Sequence, residues 1–67
     1  MQLHQLLRYI HDAVPIILFD IKDKQICSVR SKENIDVDLY EYDIFEIALG
    51  ESNIKGCKSS LYITLQK

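Results

Sequence analysis

The residues of this chain that could carry chemistry are its carboxylates, two histidines and two cysteines. The carboxylates are concentrated between residues 33 and 54, where the chain has no lysine or arginine and seven acids: Glu33, Asp36, Asp38, Glu41, Asp43, Glu46 and Glu51. This stretch has a local charge of −7, and the rest of the chain a charge of +5. A pair of carboxylates can act as acid and base where burial raises one pKa, but closely spaced acids are more typical of a solvated face. Asp36-x-Asp38 lacks the glycine and the closing glutamate of a calcium loop.

The histidines and cysteines do not form a pattern that indicates a metal or a nucleophile. His4 and His11 are seven residues apart, which is about 10 Å along a helix, whereas a zinc pair on a helix needs a spacing near four. Cys27 and Cys57 have no cysteine close in sequence and no signature of an activated nucleophile. We expect Cys27 to be a small apolar residue of a strand and Cys57 a loop thiol. The sequence therefore predicts no metal site, no cofactor and no enzymatic activity.

The basic residues do not predict direct binding of nucleic acid. Such binding requires clustered lysines and arginines with aromatic residues among them. Here Arg30 and Lys32 follow a predicted hairpin, and Lys55, Lys58 and Lys67 lie late in the chain, outside any aromatic run. We interpret these residues as surface charges that keep the protein soluble.

The elements that must position these groups fit one domain, residues 1–67, whose core is marginal at this length. Leu3, Leu6, Leu7 and Ile10 form one apolar stripe, which predicts a helix that ends before Pro15. Residues 15–21 are rich in β-branched and aromatic side chains and predict a strand. A turn at 22–25 and a second strand at 26–29 complete a hairpin.

The second half of the chain is harder to assign. Residues 30–34 predict a loop, and residues 35–42 fit a strand or a helical turn equally well. Residues 43–49 are also ambiguous, but we favour a strand because Gly50 ends the pattern. A long loop at 51–60 and a strand at 61–65 follow.

The predicted fold class is α+β, with an N-terminal helix packed on a small, mainly antiparallel sheet of three or four strands. The predicted core consists of Leu3, Leu6, Leu7, Ile10, Ile17, Phe19, Phe45, Ile47, Leu61, Ile63 and Leu65. Residues 1–10 do not have the apolar run of a signal peptide, and the longest apolar run, residues 14–19, is too short for a membrane span. We therefore expect a cytoplasmic protein with reduced cysteines.

The order of the apolar segments resembles a known group of proteins. A leucine-bearing first helix leads into IILFDI, a short acidic element with a tyrosine follows, and YDIFEIAL and LYITL complete the chain. This order resembles small proteins of unassigned role that phages and mobile elements of Gram-positive bacteria encode. Such small acidic proteins include inhibitors of host defence, anti-CRISPR proteins among them. The resemblance implies an anti-defence inhibitor, and no functional residue follows from it.

The acidic stretch has two interpretations. It is either a solvated face that keeps the protein in solution, or a surface that binds a basic partner such as a nuclease or defence complex. The second interpretation predicts a non-enzymatic inhibitor that occupies a groove normally filled by phosphates, with steering by charge and anchoring by tyrosines. Its contact residues would be Asp36, Asp38, Tyr40, Glu41, Tyr42, Asp43 and Glu46. The alternative function is a small self-associating phage accessory or structural module, for example a homodimer paired through residues 61–65 as an exposed sheet edge.

Overall fold

The computed structural model describes residues 1–52, 55–56 and 58–66, which form one short helix and a four-stranded mixed sheet. The elements are helix α1 (Leu3–Leu7) and strands β1 (Ile16–Phe19), β2 (Gln25–Val29), β3 (Asp43–Glu51) and β4 (Ser59–Gln66). The strand order is β2-β1-β4-β3. Both hairpins, β1/β2 and β3/β4, are antiparallel, and the central pair β1/β4 is parallel. The small α+β fold is confirmed, with a sheet that is mixed.

Strand β1 lies between β2 and β4 and is apolar on both faces. Ile16, Ile17 and Leu18 are all buried, as expected for an apolar strand with a neighbouring strand on each side. Ile16 and Leu18 join the core cluster together with Ile63 and Leu65 of β4. The predicted hairpin of β1 and β2 is confirmed.

Helix α1 is shorter than the stripe of leucines predicted. It covers only Leu3–Leu7, although Leu3 and Leu7 are buried in the core cluster as expected, and Leu6 and Ile10 pack against that cluster. After Leu7 the chain continues in tight turns, because the N–H of Ile10 donates to the carbonyl three residues earlier. The α-helix therefore ends at Leu7, although the apolar stripe that predicts it continues to Ile10.

Several predictions about the core and the sheet edges are wrong, and the strand order gives the reason. Phe45 and Ile47 were expected in the core but are 63% and 46% exposed, because β3 is the outermost strand. Residues 61–65 belong to β4, which lies between β1 and β3, so they are not a sheet edge. The predicted core omits three buried hydrophobic residues, namely Ile16, Leu18 and Ile35.

The segment of ambiguous sequence, residues 35–42, is neither a strand nor an α-helix. It contains a short 3-10 helix, Val37–Leu39, which follows another at Lys32–Asn34. Residues 43–49 form a strand, as favoured, and β3 continues to Glu51. Because β4 begins at Ser59, the connection between these strands is shorter than the predicted loop. The predicted loop position of Cys57 lies outside the described residues. In the described part of the chain, no helix has the length and apolarity to cross a membrane.

Candidate functional site

The acidic segment, defined here as residues 36–43, contains the 3-10 helix Val37–Leu39 and ends at Asp43, the first residue of β3. Its four carboxylate residues, Asp36, Asp38, Glu41 and Asp43, are all exposed. The Asp36 side chain accepts a hydrogen bond from the Asp38 N–H (3.0 Å) and so caps the short helix locally. The other three carboxylates have no ion pair within the described residues. They are available to an external partner.

The N-terminal segment holds the backbone of the acidic segment in place. The N–H groups of Leu3 and His4 donate to the carbonyls of Tyr42 (2.9 Å) and Tyr40 (3.1 Å). Gln2 also forms a β-bridge with Asp43. These contacts hold the backbone at Tyr40, Tyr42 and Asp43, so the carboxylates project from an ordered backbone.

The two tyrosines contribute to the protein's own packing. Tyr40 and Tyr42 are half-buried and pack against the core cluster. Tyr40 also lines a shallow depression with His4, Asp38 and Glu41, where the His4 ring Nε2 lies 2.8 Å from the Gln2 Oε1. Only part of each ring is thus left for contact with a partner.

Glu46 is separated from the other predicted site residues. It pairs in register with Thr64, which places its side chain on the open face of the sheet, the face opposite the core cluster. There it lines a depression of about 290 Å³ with Phe19 and Tyr62. The structure thus brings six of the seven predicted residues together, and Glu46 lies on another surface.

Cys27 lies on β2, half-buried against the core cluster, as expected for a small apolar residue of a strand. Burial raises the pKa of its thiol, and the negative charge of Asp36 raises it further. A raised pKa leaves less thiolate, which makes this thiol a poor nucleophile at neutral pH. Among the described residues, no group of three or more His, Cys, Asp and Glu side chains is arranged to hold a metal ion.

A surface that the sequence did not indicate is the apolar outer edge of β3. Phe45, Ile47 and Leu49 are exposed, and Leu49 has 81% of its surface accessible. Their alternation is the same signal that predicts a buried strand face. These side chains are exposed because β3 is the last strand of the sheet. The local sequence pattern does not give the strand order, so it could not reveal this surface.

On the open face, Tyr62 covers the end of the β3/β4 hairpin. Its ring packs at a tilt on Phe19 with 5.3 Å between centroids, and its hydroxyl donates to the Glu51 carbonyl. Ile17, which pairs with Tyr62 in register, is buried on this face. The hairpin end is therefore held by packing as well as by its backbone ladder.

No protein-family model, no curated protein and no solved structure matches this chain.

Proposed function

We propose that this protein is a non-enzymatic, protein-binding inhibitor or modulator of a basic partner that handles nucleic acid, of the anti-CRISPR or anti-defence type. The acidic segment would be its contact surface, and the partner a nuclease or defence complex. The proposed contact residues are Asp36, Asp38, Tyr40, Glu41, Tyr42 and Asp43.

The observation that carries the proposal is the fixed backbone beneath exposed, unpaired carboxylates. Asp38, Glu41 and Asp43 have no ion pair within the described residues, and hydrogen bonds from the N-terminal segment order the chain between them. A surface that is already ordered loses less conformational entropy on binding than a flexible acidic tail. This favours a specific contact over diffuse attraction.

Charge supplies the second step of the argument. Carboxylates close together repel each other, and lysines and arginines of a partner would relieve that repulsion. A groove that binds phosphates offers such cations, so a row of acids can compete with nucleic acid there. Salt screens these interactions, so binding should weaken strongly as ionic strength rises.

Charge reversal tests this proposal. A tagged protein is used to capture partners from lysates of bacterial hosts at low and high salt, and the captured protein is identified by mass spectrometry. The purified partner is then assayed for nucleic-acid binding and cleavage with and without this protein. The double variant Asp38→Lys, Glu41→Lys should lose capture and inhibition, because two attractive contacts become repulsive.

Glu46→Lys is the control for the kind of substitution, because it makes one glutamate-to-lysine reversal, half the charge change of the double variant, on the open face of the sheet. It should leave binding within a few-fold of the unmodified protein, and circular dichroism should show that all variants are folded. Equal binding by the double variant and the unmodified protein, or capture that does not depend on salt, would refute the proposal.

The second candidate function is a small self-associating phage accessory or structural module. The observation that favours it is the exposed apolar edge of β3. The edge proposed for self-association is therefore β3 instead of residues 61–65, which lie inside the sheet.

A further inference from the structure

We infer that two copies of this chain pair through the free outer edge of β3, antiparallel and about a two-fold axis at Ala48. The pairing would join the two four-stranded sheets into one. It is independent of the acidic segment, because none of the residues 36–43 belongs to the free edge.

The free part of this edge has defined limits. β3 is the last strand of the sheet, and the N-terminal segment covers the beginning of its outer side. There the Ile44 N–H donates to the Met1 carbonyl (2.8 Å), and Gln2 is bridged to Asp43. From residue 45 to the strand end at Glu51 the outer side is therefore free of the N-terminal segment, and at the strand end the Glu51 carbonyl accepts the Tyr62 hydroxyl.

The backbone of this stretch has hydrogen-bonding groups directed outward. In an antiparallel pair, residues alternate between bonding to one neighbour and to the other. Leu61 directs its N–H away from β3, to the Pro15 carbonyl (2.9 Å), so its partner Leu49 directs its own N–H and C=O to the free edge. Ile47, two residues earlier, does the same. These are the groups that an added strand requires.

The free stretch is complementary to itself when it is centred on Ala48. Residues 45–51 then pair end to end with residues 51–45 of the second copy, and Ile47 lies opposite Leu49 twice. Both residues have outward backbone groups, so these are hydrogen-bonded pairs. Glu46 lies opposite Gly50, and the two Glu46 carboxylates are about 14 Å apart along the strands. The exposed apolar side chains of Ile47 and Leu49 are thereby covered without facing charges.

Neighbouring registers are less favourable. An axis at Glu46 would set the two carboxylates directly opposite each other, which is destabilising. An axis at Ile47 would push Gly50 and Glu51 of the second copy onto Met1 and Gln2, which already occupy that side. An axis at Leu49 would shorten the paired part of β3 to residues 47–51, because the strand ends at Glu51.

The size of this interface sets the strength that we expect. A seven-residue strand is about 24 Å long, and one added strand pair buries less than the roughly 800 Å² per partner of a standard stable interface. The dimer should therefore be reversible and should form as the concentration rises. The large exposure of Phe45 and Leu49 (63% and 81%) supplies the apolar surface that drives it.

Sedimentation velocity over a range from about 5 μM to 1 mM tests the pairing on the full chain. The unmodified protein should shift from monomer to dimer. Leu49→Lys should weaken the dimer by roughly thirtyfold or more, because the change occurs twice in each dimer and removes apolar contact. Val37→Lys is the matched control: Val37 is also exposed (67%) but lies on the 3-10 helix, so it should dimerise like the unmodified protein.

A cysteine pair tests the register. In a background with Cys27→Ala and Cys57→Ser, Ala48→Cys should form an intermolecular disulfide with a mild oxidant, because the two positions face each other at the axis within disulfide range. Ile47→Cys should cross-link far more slowly, since each copy lies opposite Leu49 instead. A monomer throughout the concentration range, equal dimerisation of Leu49→Lys, or preferential linkage at Ile47→Cys would each overturn the inference.

The two proposals can fail separately. The double variant Asp38→Lys, Glu41→Lys should dimerise like the unmodified protein even though it should lose the basic partner. Conversely, Leu49→Lys should keep binding to that partner. Loss of dimerisation in the double variant would refute the edge as the site of pairing.

Discussion

Gly50 lies on β3 against the ring of Tyr62, and its replacement by alanine tests how the end of this hairpin is held. A Cβ at this position would lie 2.7 Å from the Tyr62 Cζ and 2.8 Å from its Cε2. These distances are shorter than any van der Waals contact, so the ring must move. A displaced ring gives up its contact with Phe19 and its hydrogen bond to the Glu51 carbonyl.

The expected cost follows from those two contacts. A hydroxyl hydrogen bond contributes about 1 kcal/mol to the free energy of unfolding, and an aromatic pair about 0.5–1.5 kcal/mol. Alanine restores about 0.5–1 kcal/mol, because it reduces the entropy of the unfolded chain relative to glycine. Gly50→Ala should therefore lower the free energy of unfolding by about 1 kcal/mol. For a protein of this size, that lowers Tm by about 4–8 °C.

The assay is urea and thermal unfolding of a double-mutant cycle with Tyr62→Val. With the ring removed, alanine at position 50 has nothing to displace, so Gly50→Ala should be neutral or slightly stabilising in that background. The coupling free energy of the cycle should be about 1–2 kcal/mol.

Gly56→Ala is the control for this cycle. Its φ of +88° makes any side chain strained, but nothing lies within 4 Å of the added Cβ. Its cost should come from the backbone alone and should be the same with and without Tyr62→Val. Unchanged stability of Gly50→Ala, or the same loss in both tyrosine backgrounds, would refute the packing argument.

Leu18→Ala should lower the free energy of unfolding by about 2–5 kcal/mol because it empties a fully buried site, whereas Phe45→Ala should change it by less than about 0.5 kcal/mol. Equal effects in urea titrations would contradict the assignment of core and edge. Hydrogen bonds from the N–H groups of Lys24 and Lys22 hold the pKa of Asp20 below its usual value. Because the folded-state pKa is the lower one, the carboxylate stabilises the fold above the unfolded-state pKa near roughly 4, and this contribution is lost as the pH falls through the folded-state pKa. An NMR titration should give a lower midpoint for Asp20 in the folded protein than in urea, and Asp20→Asn should reduce the acid sensitivity; identical midpoints would contradict this.

The sequence by itself determined the strands and much of what faces the core. The apolar runs at residues 15–21, 26–29, 43–49 and 61–65 all became strands, because alternation and β-branching act through local geometry. The concentration of acids at 36–43 likewise predicted an exposed surface. These features depend on residues that are close in the chain, so the local sequence is sufficient to predict them.

Only the tertiary structure decided the strand order, and the remaining differences follow from it. The parallel pair of Ile16 with Leu61 joins residues from opposite ends of the chain, and no local pattern encodes such a contact. That pairing puts β1 and β4 at the centre and leaves β3 at the edge. Ile47 and Leu18 both belong to runs that predict strands, yet Ile47 is 46% exposed and Leu18 is buried. The separation of Glu46 from the acidic segment has the same origin, because the register of β3 on β4 fixes the face on which its side chain lies.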